Sequence, residues 1–558
     1  MASLTEFTEQ LGAAKAAHLL RRATFGPNKN QVDQFAVLTP AQAIDQLFPA
    51  SADDVVNPTP PIDTATGSTW VNPPTTPRAV EGTNSEQDTL MGFYKAWHTD
   101  VMLQSGTNIV ERITWFFHTH IPARWTEIQS SEAIYYQNCT FRYYALRSFK
   151  DLFKKICVDN AMLRYLDGYT NHANNPNENF AREMFELYGI GKGPQVGDGN
   201  YTNYTEHDIK EATKILTGWL FDDTFSNLDA DHGWPTGVMQ QSGDRATAHD
   251  STEKKFSSIY SEQIIEPGEM DGGYATIAAA EQELSDMIDM IFDNEETSKF
   301  IVRKIYRQFV YHFITDEVEI DIIEPLAATF RTNNFEVQAV LKQLLVSEHF
   351  YDADDSVTSN NNIGAIIKSP LELSLGILRF FDVETPDRDA SAAQFYTDFE
   401  TAILPRFPEQ GLNYYEPFEV AGYPAYHQMP AFGRNWVMPT ELARRYQVGE
   451  VYMKRIGDGS AFSFQLDVLD WVENSGHISN PGDAEELVTF FTENLLAVAV
   501  NTERYEFFLN TVFLDTLNPT SWQMEWVTYT GGGSDAVVRE RIEYFVSKLI
   551  QTPEFQLN

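Results

Sequence analysis

The segment whose reading decides the fold runs from Pro176 to Gly191, PNENFAREMFELYGIG. Pro176 is a helix-start signal. At 3.6 residues per turn each residue advances about 100°. A helix over Glu178–Tyr188 therefore places Glu178, Arg182, Glu186, Asn179 and Glu183 within an arc of about 140°. Phe180, Ala181, Met184, Phe185, Leu187 and Tyr188 fill the rest of the circle. One face carries three carboxylates, an amide and a guanidinium, and the remainder is apolar, which is the pattern of an amphipathic helix.

The same period extends outward over most of the chain. Toward the N-terminus it predicts helices near 13–23, 40–47, 86–104, 107–120, 130–146 and 148–157. The first is stopped by Gly26-Pro27, and Pro40 stands at the start of the second. Toward the C-terminus it predicts 205–217, 275–292, 295–312, 317–330, 335–347, 368–380 and a helical region over 440–558. Three stretches break the period. Residues 50–85 hold Pro58, Pro60, Pro61, Pro73, Pro74 and Pro77 and read as an irregular loop. Residues 219–273 are rich in Gly, Asp, Thr and aromatics and read as short strands or hairpins. Residues 403–437 carry five prolines and read as a second irregular loop. The expected fold is mainly α, a large multi-helix globular body with a small β-hairpin insertion.

The chain has 558 residues, 40 basic and 80 acidic, for a formal charge of −40. That balance argues against nucleic acid as a partner, since a nucleic-acid binder needs a basic footprint. It also disfavours anionic membrane surfaces. No run of about 18 apolar residues occurs, so no membrane span is expected. The first residues, MASLTEFTEQLGAAKAAHLL, lack the basic start and apolar run of a signal peptide, and a cytoplasmic location is expected. The two cysteines, Cys139 and Cys157, are too few for a zinc ribbon and are read as buried free thiols, with a bridge between them as the alternative.

Several stretches carry a resemblance. They are AAHLLRRATFGP (Ala16–Pro27), ITWFFHTHI (Ile113–Ile121), the run from Asp159 to Trp219 that includes PNENFARE, and His249-Asp250 with Lys254 and Lys255. Weaker echoes lie at Phe300–Phe309, Leu344–Phe350, Lys368-Ser369-Pro370 and Glu416–Pro424. Together they resemble a bacterial family catalogued as domain of unknown function 1800. The Glu416–Pro424 block departs from the family's Pro-Pro-x-Val-x-Gly-Trp pattern, with Phe418 and Tyr423 at the second Pro and the Trp. The resemblance spans most of the chain and implies one unit over 1–558. It implies little about activity. It also implies an extracytoplasmic location as an alternative, and a partner protein encoded by a neighbouring gene.

Within these stretches lie the candidate site residues. His118 and His120 form an H-x-H that a strand would aim at one metal, whereas on the helix expected here they diverge by about 160°. Pro122 ends that helix, and an unwound last turn would let the rings converge. His249 and Asp250 sit in the non-helical insertion. Glu178 and Glu183 offer carboxylates, which hard cations and acid–base chemistry need. His18, Arg21 and Arg22 lie at i, i+3, i+4 on one helix and suit a carboxylate or phosphate, or clamp a helix C-terminus.

Two functions from different classes follow. One is a metal-dependent hydrolase with His118, His120, Glu178 and His249 on a divalent Zn, Mn or Fe ion. Glu183 is then the base, Arg182 orients the substrate and Asp250 assists. The other is a non-catalytic assembly, glycan-binding or protein-binding protein in which the same residues form a polar brace. In that case Trp219, Trp234, Tyr423 and Trp436 are candidate contacts, with weaker roles for His18, Arg22 and Asn179. Neither a phosphate-binding loop nor a dinucleotide fingerprint is present, so no nucleotide cofactor is expected.

Overall fold

A computed structural model describes residues 2–71 and 84–558, with the helical backbone alone for Asn84 and Ser85. Helix dominates it, and strand is confined, among the described residues, to five two-stranded antiparallel pairs. Four of these pairs lie between Trp219 and Ala275, where the helical period fails. The fifth, Gln195–Gly197 with Asn200–Tyr201, is an unexpected hairpin turned by Gly199 at φ +66°. Residues 50–71 are irregular apart from one short turn at Ala52–Asp54. Residues 72–83, with Pro73, Pro74 and Pro77, lie outside the described residues. Residues 403–437 hold only short helical turns, and the end of the chain is helical again.

Five helices are numbered among themselves, α1 (Gly12–Ala23), α2 (Val110–His120), α3 (Glu295–Phe309), α4 (Pro370–Phe380) and α5 (Pro439–Tyr452), and α2, α3 and α4 line the cavity described below. Asn108 caps the start of α2 through its side-chain oxygen, which accepts from the Val110 amide at 2.8 Å. Pro122 follows its end, because proline disfavours helix in the residue before it. The start of α4 is a capping box with Pro370 at its first position. Ser369 Oγ accepts the Glu372 amide at 3.2 Å, and Glu372 returns a carboxylate oxygen to the Ser369 amide at 2.6 Å. This box fixes the Glu372 side chain before any long-range contact forms.

The apolar interior forms two cores. One gathers residues mainly from 7–48 and 109–351, the other from 70–136 and 371–555. Helix α2 serves both, giving Ile113, Phe116 and Phe117 to the first and Trp115 to the second. The groove between the cores is where this fold holds a cavity, as expected for ligand sites between packed units.

Two local departures bear on the site. The helix expected over 178–188 is α-helical only from Asn179 to Glu183 and then widens into a π-turn over Met184–Gly189. The extra residue in that turn rotates the following side chains off the 3.6-residue arc. The helix near 317–330 is likewise interrupted, by a π-turn at Glu319–Ile323. Cys139 and Cys157 are buried free thiols, each pushed up to about 12 by burial.

Candidate functional site

The expected site residues are distributed among separate contacts. On α2, His118 and His120 point to different neighbours. His118 Nε2 lies 3.0 Å from the Tyr423 hydroxyl, against the rings of Tyr415 and Trp115. His120 Nε2 lies 2.9 Å from the Tyr188 carbonyl, and its Nδ1 has no partner. Burial pulls both imidazoles down to about 3, so both are neutral near pH 7. Arg182 is committed to carboxylates: Glu178 at 2.7 Å and Glu206 at 2.7 and 2.8 Å. Glu178 and Asn179 are exposed. Glu183 makes no hydrogen bond or ion pair among the described residues, and burial, then the charge of Glu186, pushes its carboxyl up to about 7.

His249 and Asp250 anchor the β insertion. His249 Nδ1 lies 3.1 Å from the Thr217 carbonyl, and its Nε2 is 3.3 Å from the Glu283 carboxylate. The Thr217 hydroxyl donates to the Lys214 carbonyl at 2.5 Å and accepts the Asp250 amide at 2.7 Å. Lys254, fully buried, donates to Glu283 and to the Asp250 carbonyl. These contacts tie the insertion to the helix Ile277–Asp293 and to the end of Glu206–Ile215. Among the described residues no three His, Cys, Asp or Glu side chains converge as a metal-ligand group. The expected centre on His118, His120, Glu178 and His249 is therefore not assembled, because each of the four already has its own partner in a different part of the fold.

Three of the four aromatic contact candidates lie inside. Trp219 is 5% exposed, Trp436 3% and Tyr423 2%, so none offers a surface face to a sugar or a protein, and Trp234 is half-buried. On α1, His18 Nε2 is 3.1 Å from the Phe350 carbonyl. Arg21 donates to the carbonyls of Asn494 and Leu496, both at 3.1 Å, and so clamps the end of the helix Ala484–Leu495. Arg22 donates to the Asn362 carbonyl at 2.7 Å, but its Nε and Nη1 are buried without partners.

What the fold does assemble is a cavity of about 260 Å³ between the two cores. One wall is the face of α2 bearing Arg112, Phe116, Thr119 and His120, spaced i, i+4, i+7, i+8. The opposite wall is the end of α3, with Lys304, Arg307 and Gln308 followed by Tyr311 and His312. The capping box of α4 contributes Ser369 and Glu372, and residues 421–436 close the space with His427, Phe432, Arg434 and Trp436.

The charge of this lining reverses that of the chain. Acids outnumber bases two to one overall. The lining holds Arg112, Lys304, Arg307 and Arg434 against a single carboxylate, Glu372. That carboxylate is already engaged, with one oxygen on Arg112 Nη2 and the other on the Ser369 amide. Arg112 is 2% exposed, and its Nε and Nη1 have no hydrogen-bond partner among the described residues. Lys304 has no carboxylate within ion-pair distance among the described residues, and its ammonium lies 5.3 Å from the Phe300 ring centroid. Burial, then Arg307, pulls its amine down to about 8. His312 is lowered by burial and by the charges of Arg434 and Arg307, and His427 by burial and Lys304.

A family described as protein of unknown function (DUF1800) matches residues 18–557. The chain belongs to this family. No curated protein and no solved structure matches it. Three of the stretches that carry the DUF1800 resemblance, at 113–121, 300–309 and 368–370, meet at the cavity through Phe116, Lys304 and Ser369. The PNENFARE stretch lies beyond it and reaches α2 through the Tyr188 carbonyl. Arg112, Lys304, Arg307, Arg434 and Glu372 were not candidates from the sequence. The signals for them were weak but present: an arginine on the same arc of α2 as Phe116 and Thr119, and a Ser-Pro-x-Glu capping box.

Proposed function

We propose that this DUF1800 chain binds a small anionic organic molecule in the cavity between α2 and α3. The observation that supports this reading most directly is Arg112. A buried guanidinium with two unpartnered N–H groups is costly, at roughly 1–3 kcal/mol or more for each charged group left unsatisfied. A carboxylate or phosphate accepting from Nε or Nη1 removes part of that cost through a charge-assisted hydrogen bond. Lys304, Arg307 and Arg434 add positive potential along the lining. The lining also holds groups that can move a proton. Lys304 is neutral in part near pH 8, and His312 and His427 are held neutral.

A metal-dependent hydrolase draws no support from this geometry, since its proposed ligands are engaged elsewhere. The anion reading is tested by isothermal titration calorimetry with inorganic phosphate near pH 7. Binding is expected, and Lys304→Gln and Arg434→Gln are each expected to weaken it about tenfold with unchanged melting. Absence of binding at millimolar phosphate and at millimolar dicarboxylate would overturn it.

A further inference from the structure

The cavity's cations stand in two separate places. Arg112 and His120 are eight residues apart on one face of α2, a rise of about 12 Å. Arg112 occupies one end, with Glu372, Ser369 and the Tyr426 hydroxyl. Lys304 is near the other end, where its charge acts on both His120 and His427, and Arg307 stands beside it. Phe116 stands between Arg112 and His120 on α2, with Thr119 beside His120, and Ile367 and Ala425 add apolar surface to the lining. A single compact anion that meets Arg112 or Lys304 leaves the other charge without an anionic partner.

Building on the anion reading above, we infer that the ligand is an elongated dianion: two anionic groups joined by an apolar spacer, one group on Arg112 and the other on Lys304. The spacer lies against Phe116, Ile367 and Ala425, where a polar linker would lose its hydration without a hydrogen-bond partner in return. Arg307 and the exposed Arg434 flank the Lys304 end and draw the ligand in by long-range attraction. The pairing also sets specificity. A mono-anion of the same length places a methyl group beside an ammonium and leaves that charge unsatisfied, which is the larger penalty.

The experiment is calorimetry on the full chain with the α,ω-dicarboxylates succinate, adipate, suberate and sebacate, with octanoate as the mono-anion matched to suberate, and with inorganic phosphate. The expected result is an affinity optimum within the dicarboxylate series. The best member should bind at least about tenfold tighter than octanoate and phosphate. Lys304→Gln, with unchanged melting, should bring that dicarboxylate down to the level of octanoate. Equal binding of suberate and octanoate, or no dependence on chain length, would overturn the dianion while leaving the anion cavity standing. No binding of phosphate, octanoate or any dicarboxylate would overturn both.

Discussion

Arg112 and Glu372 meet in the interior with a guanidinium Nη2 on a carboxylate oxygen, 260 residues apart in sequence. Glu372 is held by its own capping box, so it acts as a fixed post that orients Arg112. Nη2 is engaged on that post, while Nε and Nη1, which lie on different edges of the guanidinium, have no hydrogen-bond partner among the described residues. Removing Arg112 alone strands the carboxylate. Arg112→Met should therefore cost about 3–5 kcal/mol, as breaking a buried pair does. The double variant Arg112→Met with Glu372→Met removes both charges and should regain most of that stability, less roughly 1 kcal/mol for the lost cap. Chemical denaturation gives the stabilities, and calorimetry should find that the double variant binds the best dicarboxylate no more tightly than octanoate. A double variant as unstable as the single one would contradict the pairing.

The Lys304 amine sets a pH window for binding. Its folded value is lowered to about 8 by burial and by Arg307. Only the ammonium attracts an anion, so affinity should hold below about pH 7 and fall as the pH rises through 8, by up to about tenfold per unit. A bound anion stabilises the ammonium, so the fall begins at higher pH when ligand is saturating. The affinity of Lys304→Gln should be nearly flat over the same range. Parallel pH profiles for the two proteins would exclude Lys304 from the binding site.

Much of the fold was legible because helical period is a local property. Pro40–Leu47 is a helix where Pro40 and the spacing of Ala43, Ile44 and Leu47 require one. The loss of period at Trp219 marks the β insertion equally well. The hairpin at Gln195–Tyr201 escaped because its strands are two and three residues long and its side chains largely exposed, which leaves no alternating apolar signal. The π-turn after Glu183 escaped because one inserted residue leaves no mark on composition. The cavity was invisible for a different reason. Arg112, Lys304 and Arg434 are scattered over more than half the chain, each alone in its local pattern, and the overall charge of −40 hides a basic recess in its average. His118, His120 and His249 stood out as residue types, but type does not reveal partners, and Tyr423, Tyr188 and Glu283 come from distant segments.

Stability and binding should separate at the brace on the β insertion. Glu283 is buried between Lys254 and His249, and Lys254 is fully buried. Glu283→Gln leaves that ammonium without its carboxylate and should cost about 3 kcal/mol or more. None of these three residues lines the cavity. Below the unfolding transition, phosphate affinity should therefore match that of the unmodified protein. Denaturant titration and calorimetry on this variant test both halves. Loss of binding in a folded Glu283→Gln protein would place the brace in the binding machinery.

The last expectation concerns Glu183, where sequence reading placed a catalytic base. Its carboxyl is pushed up to about 7 by burial and Glu186, against weaker opposing attraction from Lys192 and Arg182. A carboxyl raised in the folded state above its unfolded value of about 4.3 favours folding most below that value. That contribution is lost as the pH climbs through 7, where the charged form must be tolerated. Glu183→Gln removes the titration. Relative to the unmodified protein, the variant should gain stability as the pH rises from about 5 to 8 and lose that advantage in acid. A solvated Glu183 would instead change stability by no more than about 0.5 kcal/mol at every pH. A brace to a cation would cost about 3 kcal/mol, but Glu183 has no such partner among the described residues. Melting profiles at pH 5, 7 and 8 distinguish the three. A gain confined to high pH, with phosphate binding intact, identifies a strained carboxyl outside the cavity. If the same variant also loses a ligand-dependent activity, Glu183 regains the role of base that its place on the PNENFARE helix first suggested.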